Sequence, residues 1–261
     1  MGNSHKIEEK NKNNDNNNNH NHKDINNDEE EEDEYSQVIK TLNTNTEKIE
    51  KRLKNCKKNE NLLVLIESGA LAPPHKMHVG IMEMSKKYIE ENLGQLKVLG
   101  GYLIPSSDKY VKYKLKKDFI PLNHRVNMTQ LLIKNSEWLD CLDWGFAYGE
   151  EIRMILEKIL KKKFPDYNIK CVLVFGIDYY LRHRIKISDL HICIYRPGFD
   201  IEEAKKLYPE NMIFVEGNHD ETCSTTIRKA LRENNDDVIK ELVSEDVFNY
   251  LKNNDIFINN N

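Results

Sequence analysis

Long apolar runs are missing from this 261-residue chain. No stretch approaches the roughly 18 consecutive apolar residues of a membrane-spanning helix, and the N-terminal residues contain no apolar core of a secretory signal, so neither a span nor secretion is expected. Pairable cysteines are scarce as well. Cys56, Cys141, Cys171, Cys193 and Cys223 are odd in number, widely spaced and without a CxxC, which points to free thiols in a reducing compartment, cytoplasmic or nuclear. Nor is there an excess of one charge: Lys and Arg number 39 against 43 Asp and Glu, and from residue 61 onward the count is 28 against 29. A near-neutral domain has no electrostatic footprint for a nucleic-acid polymer, so any phosphate it binds must sit in a local cleft.

Apolar residues are also nearly absent before Tyr35, where an Asn-rich tract, Asn11 to Asn21, precedes an acidic run, Asp28 to Glu34. Such a composition cannot bury enough surface to offset the entropy of ordering. Residues 1–60 are therefore expected to be a disordered, low-complexity extension and residues 61–261 the folded domain, with a short helix between Gln37 and Lys58 leading into it. The opening Met1-Gly2-Asn3-Ser4 is similar to a myristoylation site, but Lys6 stands where that motif has Ser or Thr, and a solvated tail is the reading adopted. No membrane partner is expected.

What is present after residue 60 is alternation. Apolar runs of strand length at Leu62–Ile66, Leu96–Ile104, Trp138–Leu142, Ile169–Phe175, His191–Tyr195 and Met212–Val215 are separated by stretches of helical period at Val79–Asn92, Leu122–Lys134, Glu150–Lys162 and Ile201–Leu207. The chain ends in helical segments at Thr225–Arg232, Val238–Leu242 and Glu245–Lys252. Near-continuous Val, Ile and Leu in strands divided by helices is the pattern of a parallel sheet covered on both faces, an α/β, Rossmann-like, doubly wound fold. In such sheets ligands bind beyond the carboxyl ends of the strands, where strand order reverses. Pro105 to Pro121 reads as one long basic loop with Tyr102, Tyr110 and Tyr113 in or beside it, and long loops in compact domains tend to be functional.

Two segments carry chemistry. Gly69-Ala70-Leu71-Ala72-Pro73-Pro74-His75-Lys76-Met77-His78 follows the first strand, and His75 and His78, three apart, are expected on one face of the helix that starts there. The pair is open to three readings: a phosphate contact, a metal site or a structural pair. No third ligand stands at a familiar spacing, so no metal is assigned. Near the other end, Cys223-Ser224-Thr225-Thr226-Ile227-Arg228 sets hydroxyls and a guanidinium at the start of a helix, where orphan N–H groups and the macrodipole attract anions, although an ordinary N-cap with a solvated Arg fits the same letters. Two anion sites in one small domain suggest a nucleoside triphosphate.

Together the two segments resemble the (H/T)xGH and SSTxxR signatures of the nucleotidylyltransferase superfamily, and in detail its eukaryotic-type nicotinamide or nicotinate mononucleotide adenylyltransferases. Pro105-Ser106-Ser107-Asp108-Lys109-Tyr110 is similar to that family's SPxxDxY, His124-Arg125-Val126 to its HRV, Asp143-Trp144 to its D-x-W and Gly176-Ile177-Asp178 to its GAD. The resemblance implies transfer of the adenylyl group of ATP to a mononucleotide, with magnesium bound through the ATP phosphates. It implies that His78, His75 and Arg228 are catalytic, and that Gly69, Gly176, Asp178, Ser224 and Thr225 join them in holding ATP. Lys112, Tyr110, Trp144 and Arg196 are implied for the mononucleotide. Trp144 as a core residue and Asp178 as a helix cap are the alternatives the residues themselves leave open.

The chain departs from the pattern at Ala70, Leu71 and Ala72, where the family has Ser-Phe-Asn, and at Cys223, where it has Ser; the family's second Trp, after Asp178, is lacking. These departures keep two other readings alive: a nucleotidylyltransferase acting on another phosphorylated metabolite, and a degenerate nucleotide-binding interaction module. A homo-oligomer is compatible with all three.

Overall fold

The computed structural model describes residues 37–177, 179, 189–207, 211–217 and 223–256. Asp178, assigned above to ATP, lies outside the described residues. The chain divides into two compact units, Met1–Lys40 and Thr41–Asn261, and all elements below belong to the second. The expected division at residue 61 is thus set beside a contact boundary at Thr41. Helix α1, Glu47–Leu53, is part of the folded unit: Ile49 and Leu53 are 2% and 5% exposed and sit in the hydrophobic core. The guanidinium of Arg52 also donates to the Val98 carbonyl at 3.1 Å.

The remaining elements follow in the expected alternation: β1 Asn61–Gly69, α2 Lys76–Asn92, β2 Leu96–Pro105, α3 Asp108–Leu115, α4 Leu122–Leu132, β3 Leu139–Cys141, α5 Gly149–Lys163, β4 Asn168–Gly176, β5 His191–Tyr195, α6 Glu202–Leu207, β6 Met212–Glu216, α7 Ser224–Arg232, α8 Asp236–Leu242 and α9 Glu245–Asn253. Among the described residues six strands form one sheet in the order β3-β2-β1-β4-β5-β6, every pairing parallel. The fold is thus α/β and doubly wound. Alternate residues of β1 feed opposite cores: Leu62, Val64 and Ile66 pack with α1 and α5, while Leu63 and Leu65 pack with α2 and Val126 of α4. A strand buried on both faces needs no polar alternation, which is why it reads as a continuous apolar run.

The segment 105–121 corrects the expectation of a loop. Ser107 caps α3, its hydroxyl accepting from the Tyr110 N–H at 3.3 Å, and a 3-10 turn, Lys116–Asp118, follows. Sequence order reverses beside β1, whose neighbours are β2 and β4, so the crevice for a ligand lies beyond Gly69 and Gly176, the last residues of β1 and β4.

Candidate active site

From Gly69 the chain turns back through buried residues to α2. Leu71 adopts a left-handed φ of 45° while 1% exposed, and the Ala72–Pro73 peptide is cis. Gly69 is not left-handed, so the demanding backbone position of this turn is Leu71. His75 does not share a helix face with His78 either: it precedes the helix, extended at φ −145° and ψ 169°. The two rings meet nonetheless, 3.7 Å apart between centroids, because the His78 side chain reaches back to the cap and its Nδ1 accepts from the His75 N–H at 3.0 Å. Burial, then the neighbouring His75 and Lys114, hold the His78 imidazole well below its usual pKa. A neutral ring with Nδ1 accepting carries its proton on Nε2. That N–H faces Glu67, whose Oε1 is 3.9 Å away.

Helix α7 meets this same turn. The Ser224 hydroxyl donates to the Pro73 carbonyl at 2.9 Å, and Nη1 of Arg228 donates to the Ala72 carbonyl at 2.7 Å, across more than 150 residues of sequence. Arg228 also donates to Thr225 Oγ1 at 3.1 Å and pairs with Asp118 at 3.2 Å. At 6% exposure it is therefore a clamp between α7, the 3-10 turn and the first crossover, not a solvated side chain. Partial burial works against ionisation of Asp118, but hydrogen bonds from Arg232 and Arg228 hold its carboxyl below the usual value. The N-cap of α7 is Cys223, whose sulfur lies 3.2 Å from Thr226 Oγ1.

Beside the turn a small cleft of about 80 Å³ is lined by Ser68, Gly69, Ser106, Tyr110, Lys114, Ala147, Tyr148, Gly149 and Tyr179. One fully buried cation organises its rim. Arg125, 0% exposed, donates to the carbonyls of Ala70 (3.0 Å), Ser106 (2.7 Å) and Ile120 (2.8 Å) and to Asp108 Oδ1 (2.8 Å). It ties the ends of β1 and β2 and the start of α3 to α4.

Of the residues implied by resemblance, the structure brings His75, His78, Ser224, Thr225 and Arg228 to one turn, and Gly69 and Tyr110 to the cleft. Others lie elsewhere. Lys112 is exposed with its Nζ 5.1 Å from the Phe119 ring, while Lys114, one helical turn after Tyr110, lines the cleft instead. Reading 105–121 as a loop hides this helical register. The Trp144 indole N–H donates to the Asn43 carbonyl at 2.9 Å and packs beside Phe146, so Trp144 is no part of the cleft lining. Arg196 is exposed just beyond β5, outside that lining. At Gly176 an added Cβ would meet nothing within 4 Å, so the position faces open space. Glu67, Tyr148 and Tyr179 were not anticipated; only Glu67 left a signal, a lone carboxylate ending the apolar run of β1.

A profile of the cytidylyltransferase-like family matches residues 68–231, from the last residues of β1 to the clamp helix α7. The chain belongs to that family. Within it, residues of this cytidylyltransferase-like chain are 35% identical over 92 positions to nicotinamide/nicotinic acid mononucleotide adenylyltransferase 1 of Bos taurus, covering 35% of this chain and 30% of that one. They are 29% identical over 117 positions to the Saccharomyces cerevisiae nicotinamide/nicotinic acid mononucleotide adenylyltransferase 2, covering 44% and 28%. The match thus spans less than a third of these relatives' length. In fold, the cytidylyltransferase-like domain is similar to the Plasmodium falciparum nicotinic acid mononucleotide adenylyltransferase complexed with APC, with TM-score 0.55 and 17% identity over 76% of this chain and 98% of that one.

Proposed function

We propose that this protein transfers the adenylyl group of ATP to nicotinamide or nicotinate mononucleotide, forming a dinucleotide such as NAD and releasing pyrophosphate. The observation that carries the reading is the junction of α7 with the first crossover through Ser224, Arg228 and the carbonyls of Pro73 and Ala72, which sets a helix N-terminus against the turn that leads into His75 and the neutral His78. The names of the mononucleotide adenylyltransferases matched over part of the chain support it.

The acceptor's 5′-phosphate is already an anion, so no general base is needed. One of its oxygens attacks the α-phosphorus, the α–β bridging bond breaks, and pyrophosphate leaves with that electron pair. What remains for the protein is alignment and stabilisation of growing charge. His78 Nε2–H contacts the α-phosphoryl oxygens, and His75 the same triphosphate. The start of α7, with Ser224, Thr225 and Arg228, holds the β and γ phosphates. Gly69 and Gly176 let the backbone approach the nucleotide, and Asp178 is assigned to its ribose. Tyr110 and Lys114 take the mononucleotide, with Tyr148, 69% exposed at the cleft, offering a face to a flat ring. Arg196 is assigned to the mononucleotide from beyond β5, while Lys114 takes the part expected of Lys112. Magnesium would be carried by the phosphates, whose charge it would offset when bound.

The test is pyrophosphate release from ATP and magnesium with a panel of phosphates. Turnover with a pyridine mononucleotide supports the reading. Turnover only with another phosphate sustains the second one, transfer to a different metabolite, which the position of Trp144 against Asn43 favours. Binding of ATP with no turnover on any phosphate would mark a nucleotide-binding module.

A further inference from the structure

Glu67 is an anomaly in the sheet. It ends the apolar run of β1 with its side chain 9% exposed, and its Oε2 is fully buried with no hydrogen-bond partner. Its Oε1 lies 3.9 Å from His78 Nε2 and 3.6 Å from where a Cβ on Gly69 would stand, so the carboxyl looks toward the edge of the cleft that Gly69 lines. An ionised carboxylate buried without a cation is too costly to persist.

The start of α2 brings His78 to Glu67, with His75 stacked on it. From α3 come Tyr110 and Lys114, on the cleft that Gly69 shares. Arg125 of α4 reaches the adjoining turn, but four of its five N–H donors go to Ala70, Ser106, Ile120 and Asp108. The neighbouring strands offer Leu103 of β2, opposite Glu67, and Leu173 of β4, opposite Ile66. Among the described residues, only His78 puts a basic atom within 4.0 Å of the Glu67 carboxyl, and that imidazole is neutral.

We propose that Glu67 serves the site as a neutral carboxylic acid whose O–H joins the Nε2–H of His78 in holding a nucleotide phosphate, so that ionising Glu67 expels the nucleotide. The inference rests on the nucleotide reading above. Burial pushes the Glu67 carboxyl up to about 8, so it carries its proton at neutral pH. An arriving phosphate strengthens that preference, since two anions cannot share so small a space. Nucleotide affinity is therefore linked to one proton and falls through the alkaline range.

The experiment is calorimetric binding of α,β-methylene ATP with magnesium to the full chain between pH 6.5 and 9.5. Wild type is expected to lose about tenfold in affinity per pH unit above about 8. Glu67→Gln keeps an N–H donor and cannot ionise, so its affinity is expected to be nearly flat over that window. Glu67→Leu, its fold checked by thermal melting, is expected to bind about tenfold more weakly than wild type at pH 7, the loss of one hydrogen bond. Lys114, Tyr110, Tyr179 and Cys223 are unchanged in both variants, so a difference in slope belongs to position 67. A wild-type affinity flat with pH, or the wild-type slope persisting in Glu67→Gln, would overturn the inference while leaving the nucleotide reading intact. No binding by wild type at any pH would overturn both.

Discussion

At the scale of residues, two buried titratable groups face each other across 3.9 Å with opposed preferences. The folded state depresses His78, so its contribution to stability is complete above the ordinary histidine value of 6.5 and is lost as pH falls toward its folded value. Glu67 is raised, so its contribution is complete below 4.5 and is lost as pH rises toward about 8. Urea unfolding across pH 4 to 9 should therefore show Glu67→Gln gaining on wild type as pH rises, with no gain at pH 4. His78→Ala should lower kcat by about a hundredfold or more, because a donor aimed at developing charge is worth several kcal/mol in the transition state. Its fold should lose only about 1 kcal/mol, the worth of the acceptor that His78 Nδ1 offers the His75 N–H. A kcat within twofold of wild type would remove His78 from the chemistry.

Among elements, the joints matter more than the elements themselves. Arg125 satisfies three carbonyls and one carboxylate at once with no exposure, and none of those partners is adjacent to it in sequence. Arg125→Met keeps most of the volume and removes every donor. It should destabilise the fold by about 3 kcal/mol, measured by urea unfolding, through the buried carbonyls left without partners. Gly101 of β2 shows the opposite constraint: an added Cβ would come within 2.8 Å of the Trp138 ring and 2.9 Å of Leu139 and Met82. Gly101→Ala should cost about 1 to 3 kcal/mol through overpacking, whereas Gly176→Ala, with nothing within 4 Å, should leave stability unchanged and act on nucleotide affinity alone.

For the whole molecule, the boundary at Thr41 predicts what truncation does. Removing residues 1–40 should leave the melting temperature of the remainder within about 2 °C of the full chain. Removing residues 1–56 should lower stability by about 3 to 6 kcal/mol, since Ile49 and Leu53 leave the core. Equal melting temperatures for the two truncations would show that α1 contributes nothing. By composition the α1 residues read with the polar stretch ahead of them, because a seven-residue helix with two apolar anchors cannot outweigh it.

The strands, their order along the chain and the two motifs that the fold joins follow from the letters alone, because a strand buried on both faces and a helix N-terminus near hydroxyls are local facts of composition and spacing. Which lysine serves the cleft, that Trp144 turns to Asn43, that Arg228 is clamped by Asp118 and that Glu67 keeps its proton are decided only when the chain is folded. Side-chain partners and desolvation depend on groups that only the fold brings together, 101 residues apart for Trp144 and Asn43 and 110 for Arg228 and Asp118, and no pattern within one segment encodes them.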